Sequence, residues 1–356
     1  MTRDVLRNAR SLAFLLAHLF PVTTVFAQGF GGTVADHLVR GDSLLAQGKT
    51  AEAIVQFQEA RTLCPTRSEI VSALQGEARG RLAQNETLPA AGLLEEAATR
   101  FPDDPRASNL LYQAGLVAQR AGEFDKAIDL YRRGLDWNPT QDIVPTLKFQ
   151  LALALRLRGR PGEVVDLLKD FEKKHADYPL LPHVLYTLAI AEHDVATASH
   201  ERSKLEESAA IYTKLIEKFP GQPAAIEAHF EMGLVLSELG RKAEAADYFS
   251  RYVSMNPGSP VAAAALERAA DLTLHRSPKQ SAELYALARV KAKANPKPPD
   301  PTLGLSRWLT LKETLADTLS RVWVLAILGA VGLGVTMLLG RFIVKRFRKA
   351  PAPAID

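Results

Sequence analysis

The sequence predicts an all-α fold, a solenoid of about six to seven stacked helix pairs followed by one C-terminal transmembrane helix. Three observations predict it. The first is a spacing written three times: Gly41, Gly48, Ala53, Phe57, Ala60, Pro65; then Gly115, Gly122, Ala127, Tyr131, Gly134, Pro139; then Gly233, Gly240, Ala245, Phe249, Tyr252, Pro257. The steps are seven, five, four, three and five residues each time. The second is what these residue types do. Small residues at the first, third and fifth positions let two helices approach, and an aromatic fills the gap between successive pairs. A glycine falls at the turn, where positive φ costs it little, and a proline ends the second helix. The third is an uncharged run between Arg321 and Arg341, long enough for a bilayer core that needs about 20 apolar residues.

Taken in order, residues 1–27 read as an export signal. Arg3, Arg7 and Arg10 precede an apolar run from Leu12 to Phe20, and Val25-Phe26-Ala27 suits a signal peptidase, which places the mature start near Gln28. An uncleaved anchor is the alternative. No cysteine follows the apolar run, so the lipidation site of an exported lipoprotein is missing. The repeat region then covers 34–294. Besides the three clear copies, Ala78, Asn85, Ala90, Leu94, Ala97 and Pro102 keep the steps, with Asn85 replacing the turn glycine as a residue that tolerates positive φ. A fourth unit runs from Pro145 to Tyr178, with Ala152, Gly159, Val164 and Leu168 in register and the closing proline slipped to Pro179. In the fifth, the second helix is Glu206 to Phe219, with Tyr212 and Leu215 before Pro220. A longer polar stretch, His193 to Lys204, is expected to replace its turn. Val261 to Leu274 and Pro278 to Ala294 form a degenerate terminal pair, as expected where a stack exposes its last face.

A unit of about 34 residues with these positions resembles the tetratricopeptide repeat. The resemblance implies antiparallel helix pairs whose stack curls around a concave, protein-binding groove. It also implies that residues one turn apart on the first helix of each pair face that groove. Here they are Tyr112, Leu116, Gln119 and Arg120, then Phe149, Leu153 and Arg156, then Phe230 and Leu234. This lining is apolar with a few hydrogen-bonding heads, unlike the Lys- and Asn-rich lining that clamps a peptide carboxylate in some resembling proteins. It suits an extended or helical partner segment; packing of these side chains between neighbouring units is the alternative. The run Tyr212-Thr213-Lys214-Leu215-Ile216-Glu217-Lys218-Phe219-Pro220, with the following unit ending Asn256-Pro257, is similar to periplasmic tetratricopeptide proteins of bacterial envelopes, including Tol-Pal-associated and outer-membrane-assembly types.

Beyond the repeats, residues 295–303 contain Pro296, Pro298, Pro299 and Pro301 and are expected to form a stiff, extended linker. Residues 304–320 carry Leu305, Trp308, Leu311, Leu315 and Leu319 at helical spacing, a juxtamembrane amphipathic helix. Extension of the span and docking back on the repeats are the alternatives. The transmembrane helix is 322–340, and Ala326, Ala330 and Gly334 on one face permit close contact in a homo-oligomer. The tail, 341–356, holds Arg341, Lys345, Arg346, Arg348 and Lys349, which keeps it cytoplasmic and the repeats periplasmic.

The formal charge of +4 follows from these ends. Signal and tail together hold eight cations and two acids, so the exported body keeps 36 basic against 38 acidic residues. That balance argues against a nucleic-acid surface. Cys64, the single cysteine, has no partner for a disulfide or zinc cluster within the chain and reads as a packing residue, with intermolecular pairing as the alternative. No phosphate loop, nucleophile elbow or metalloprotease motif occurs. Glu192, His193, Asp194, His200 and Glu201 are weighed as metal ligands against a solvated loop, and the loop is preferred. No catalytic residue, metal or cofactor is therefore expected. The expected function is a non-enzymatic adaptor in the bacterial inner membrane, holding its repeats in the periplasm to bind envelope proteins. A structural subunit of a larger transport, secretion or envelope-integrity complex is the competing reading.

Overall fold

Helices alternating with short turns account for the regular structure, with no strand among the described residues. The computed structural model describes residues 32–63, 65–137 and 139–294. The signal, Cys64, the linker, the amphipathic stretch, the candidate span with Ala326, Ala330 and Gly334, and the basic tail lie outside them. Among the described residues no helix is long and apolar enough to cross a membrane. The chain divides into two compact units, one ending at Arg158 and the other beginning at Gly159, inside the turn of the fourth helix pair.

The first unit holds α1 (Val34–Ala46), α2 (Thr50–Thr62), α3 (Arg67–Ala83), α4 (Thr87–Arg100), α5 (Ala107–Arg120), α6 (Phe124–Asp136) and α7 (Val144–Leu157). Two of its first helices begin with a reciprocal cap. The Thr33 hydroxyl accepts from the Asp36 amide at 3.3 Å while Asp36 accepts from the Thr33 amide at 2.8 Å, and Thr66 with Glu69 repeats both distances. Each cap satisfies amides that a helix start leaves without partners. Packing then follows the spacing. Phe57 is 1% exposed and lies between helices carrying Gly41 and Gly76, where an added Cβ would stand 2.7 Å and 2.3 Å from its ring. Tyr131 covers Gly115 in the same way, at 2.4 Å. The aromatic therefore fills a space that exists only because the facing residue has no side chain. At the turns, Gly48 and Gly122 have φ of 75° and 83°, and Asn85 has 62°, as their place in the spacing requires.

In the second unit the order is α8 (Pro161–Leu168), α9 (Phe171–Lys174), α10 (Leu181–Ser199), α11 (Arg202–Lys218), α12 (Pro223–Glu238), α13 (Lys242–Met255), α14 (Ala262–Thr273) and α15 (Pro278–Ala294). Phe249 covers Gly233 as its counterparts do, with a virtual Cβ at 2.7 Å. One expectation is corrected here. The polar stretch from His193 is helix to Ser199, and the turn is brief, with His200 left-handed at φ 58°. Alanines at 191, 196 and 198 favour helix, and the polar residues among them meet charged neighbours. His193 lies 3.0 Å from Glu238, and Glu192 lies 3.8 Å from Lys204. Polarity in this stretch marks partners on adjacent helices, not a loop.

Candidate functional site

A groove in the first unit is built from the first helices of three successive pairs. α1 contributes Leu38 and Asp42, α3 contributes Ser72, Gln75, Arg79 and Leu82, and α5 contributes Gln113, Leu116 and Arg120. Phe57 and Leu94 from the second helices reach its floor. The groove holds about 640 Å³, within the range of sites that seat a small ligand or a few side chains of a peptide. Its walls alternate apolar stems with polar heads. Arg79 donates to Asp42 at 2.7 Å across the α1–α3 rim and stands 6.0 Å from the Phe57 ring centroid. Both charges are more than half exposed, so this pair contributes little to stability and a partner's own charge can replace either member.

The frame behind the groove is tightly specified. Arg106 donates to both carboxylate oxygens of Asp104 at 3.0 Å and to the Ser68 hydroxyl at 3.2 Å, tying the loop before α5 to the start of α3. Its bonding holds the Asp104 carboxyl below its usual value, against the opposing effect of burial. On the outer side, Arg61 bridges Glu77 at 2.9 Å and Glu96 at 3.0 Å, and Glu77 also accepts from Gln58 at 2.8 Å. Glu77 has a side chain only 4% exposed, and a carboxylate so placed needs these donors. Around Glu95, burial pushes the carboxyl up, but Arg133 and Lys126 outweigh it and hold it low.

Of the residues read from the sequence, Leu116 and Arg120 line the groove. Gln119 accepts from the Tyr131 hydroxyl at 3.1 Å, and the Tyr112 ring lies 6.4 Å from that of Tyr131. Burial first, then Tyr112, pushes the Tyr131 hydroxyl well above its ordinary range, so it stays a neutral donor. On α7, Phe149 is 6% exposed, Leu153 is half-buried and Arg156 is exposed. Phe230 and Leu234 lie in the second unit, where the Phe230 ring packs 5.5 Å from both Phe249 and Tyr252. Sequence reasoning missed Leu38, Asp42, Gln75 and Arg79. The signal was available: Leu38, Gln75 and Tyr112 recur every 37 residues, as do Asp42, Arg79 and Leu116.

The second unit presents a different surface. Glu227, Glu231 and Glu238 share α12, and their donors include Tyr252 at 3.1 Å and Asn256 at 3.2 Å for Glu227 and His193 for Glu238. Burial pushes the Glu231 carboxyl up despite nearby His193 and a bond from Tyr186. Among the described residues no group of His, Cys, Asp and Glu is arranged to hold a metal ion. His193 and Glu192, weighed together as ligands, instead engage Glu238 and Lys204 on different helices.

The profile of the tetratricopeptide repeat family matches residues 76–142 and 201–260. The outer membrane protein assembly factor BamD of Rickettsia prowazekii (strain Madrid E) is 23% identical over 133 residues, which are 37% of this chain and 53% of that protein. The chain thus spans about half the length of the curated relative it matches. Among solved structures, the C-terminal part of a tetratricopeptide-repeat-containing protein from Cytophaga hutchinsonii is similar, with a TM-score of 0.54 at 14% identity over 72% of this chain and 96% of that one. A further similar structure is YrrB, described as a tetratricopeptide protein with an unusual peptide-binding site, with a TM-score of 0.44 at 15% identity over 59% of this chain and 97% of that one.

Proposed function

From a chain that carries tetratricopeptide repeats, we infer a membrane-anchored adaptor whose repeats hold partner proteins on the periplasmic side of a bacterial inner membrane. The observation that carries this reading is the groove walled by Asp42, Arg79, Leu116 and Arg120, open to solvent and lined by apolar stems between polar heads. That arrangement suits an extended protein segment, which supplies side chains to the apolar places and backbone or charged groups to the heads. Likeness to an outer membrane protein assembly factor supports a role in the envelope. The uncharged run before Arg341 and the cations after it support the anchor and its orientation. Binding alone satisfies the site; no catalytic step is assigned to it.

A photo-crosslinking residue placed at Gln113 or Arg120 in intact cells tests the reading, with adducts identified by mass spectrometry. Discrete protein adducts from both positions, lost with Leu116→Glu, are expected. If adducts form instead from Val55 on the outer side of α2 and not from the groove, the binding surface lies elsewhere. Release of the full-length chain by alkaline extraction, or protection of its repeats from protease in spheroplasts, would overturn the anchor or its orientation.

A further inference from the structure

The last helix pair is unlike the rest of the exported body. Residues 262–294 contain six cations, Arg268, Arg276, Lys279, Arg289, Lys291 and Lys293, against three acids. Two of those acids are engaged or covered: Asp271 accepts from the Tyr285 hydroxyl, and Glu267 is only 9% exposed. The pair thus carries a net charge of +3 in a body that is close to neutral, with Glu283 its one exposed acid on α15. Along the outer side of α15 runs an exposed stripe in which Leu287 and Val290 are 44% and 59% exposed, with Lys279 and Lys293 exposed toward its two ends and a single acid, Glu283, exposed between Lys279 and Leu287. A helix with solvent-facing aliphatics between lysines has the composition of a surface-lying membrane helix, its lysine stems reaching past the apolar groups to headgroups.

We propose that α15 rests on an anionic lipid surface, with Leu287 and Val290 in the headgroup boundary and Lys279 and Lys293 on lipid phosphates. Chain continuity favours this occupant, and the argument rests on the anchored reading above. Only residues 295–303 separate Ala294 from the amphipathic stretch, and nine extended residues reach at most about 30 Å. Charge separates lipid from the other possible covers. Residues 304–320 hold two cations and two acids, so they offer a positive helix no complement. A second copy would bring like charge to like charge. An anionic bilayer supplies the missing sign at short range, within a screening length of about 8 Å at physiological salt.

The test uses the full-length chain reconstituted in vesicles, with Val290→Cys carrying an environment-sensitive fluorophore in a Cys64→Ser background and circular dichroism confirming helix content. In vesicles containing phosphatidylglycerol, a blue shift and quenching by brominated acyl chains are expected. Both are expected to be lost in phosphatidylcholine alone, in high salt, or with Lys279→Gln/Lys293→Gln. Unlabelled protein gives a second readout through slower hydrogen exchange of α15 in the anionic vesicles. No quenching in anionic vesicles overturns the proposal, as does an equal shift in both lipids and in detergent, which would mean that protein covers the stripe. Alkaline extraction separates the two readings: a released chain defeats the anchor, whereas a retained chain without quenching defeats only the lipid contact.

Discussion

Gly115 and Gly92 are both helical glycines, and their surroundings give them opposite roles. A Cβ at Gly115 would meet the Tyr131 ring at 2.4 Å, whereas a Cβ at Gly92 meets nothing within 4 Å. Gly115→Ala must displace a fully buried ring and is expected to cost about 1–3 kcal/mol. Gly92→Ala only improves helix propensity and is expected to gain up to about 1 kcal/mol. Urea titrations of the two variants against the parent check both signs, and equal effects would refute the packing argument. Glu231 supplies another residue-scale expectation. Because burial raises its carboxyl, ionising it costs more in the fold than in the unfolded chain. Glu231→Gln should therefore raise the stability of the second unit at neutral pH, read from hydrogen exchange of α12, while retaining an acceptor for Tyr186.

Among the elements, caps and turns determine where helices begin and stop. Removing the α3 cap with Thr66→Ala leaves the amide of Glu69 without its acceptor, and a loss of about 0.5–2 kcal/mol is expected in thermal or urea unfolding. α10 is the longest helix among the described residues and runs past the turn expected at His193. Its last turns hold His193 against Glu238 and Glu192 beside Lys204, so they are packed helix and not a hinge. Amides from Asp194 to Ala198 should accordingly exchange with the rest of α10. Rates matching an open loop would contradict the assignment.

For the whole molecule, the two units should answer acid differently. In the first, Glu95 and Asp104 have lowered carboxyl values. A lowered acid stabilises the fold above its unfolded value and loses that contribution as pH falls through the folded one. The first unit should therefore only lose stability as pH drops below about 4.5. In the second, Glu172 is also lowered, burial being outweighed by Lys214 and Lys218, but Glu192 and Glu231 are raised by burial. A raised acid carries a penalty when ionised that is relieved as pH falls through its folded value. The second unit should gain stability on mild acidification before Glu172 is lost. Hydrogen exchange resolved by unit across this range checks the contrast, and parallel curves would remove it.

Helix pairing, the glycine and asparagine turns and the aromatic filling between helices were legible in the sequence because they repeat at fixed steps and rest on local backbone chemistry. Gly48, Asn85, Gly122 and Gly240 all take the positive φ that their place in the spacing demands. Two of the first-helix residues that line the groove, Leu116 and Arg120, were legible for the same reason. The rest depended on neighbours distant in sequence. Asp42 meets Arg79 across 37 residues, Glu77 is covered by Arg61, and His193 finds Glu238 across 45 residues. Such meetings arise only when separate helices are brought side by side, so tertiary packing alone decided which polar residues became rim, frame or buried partner.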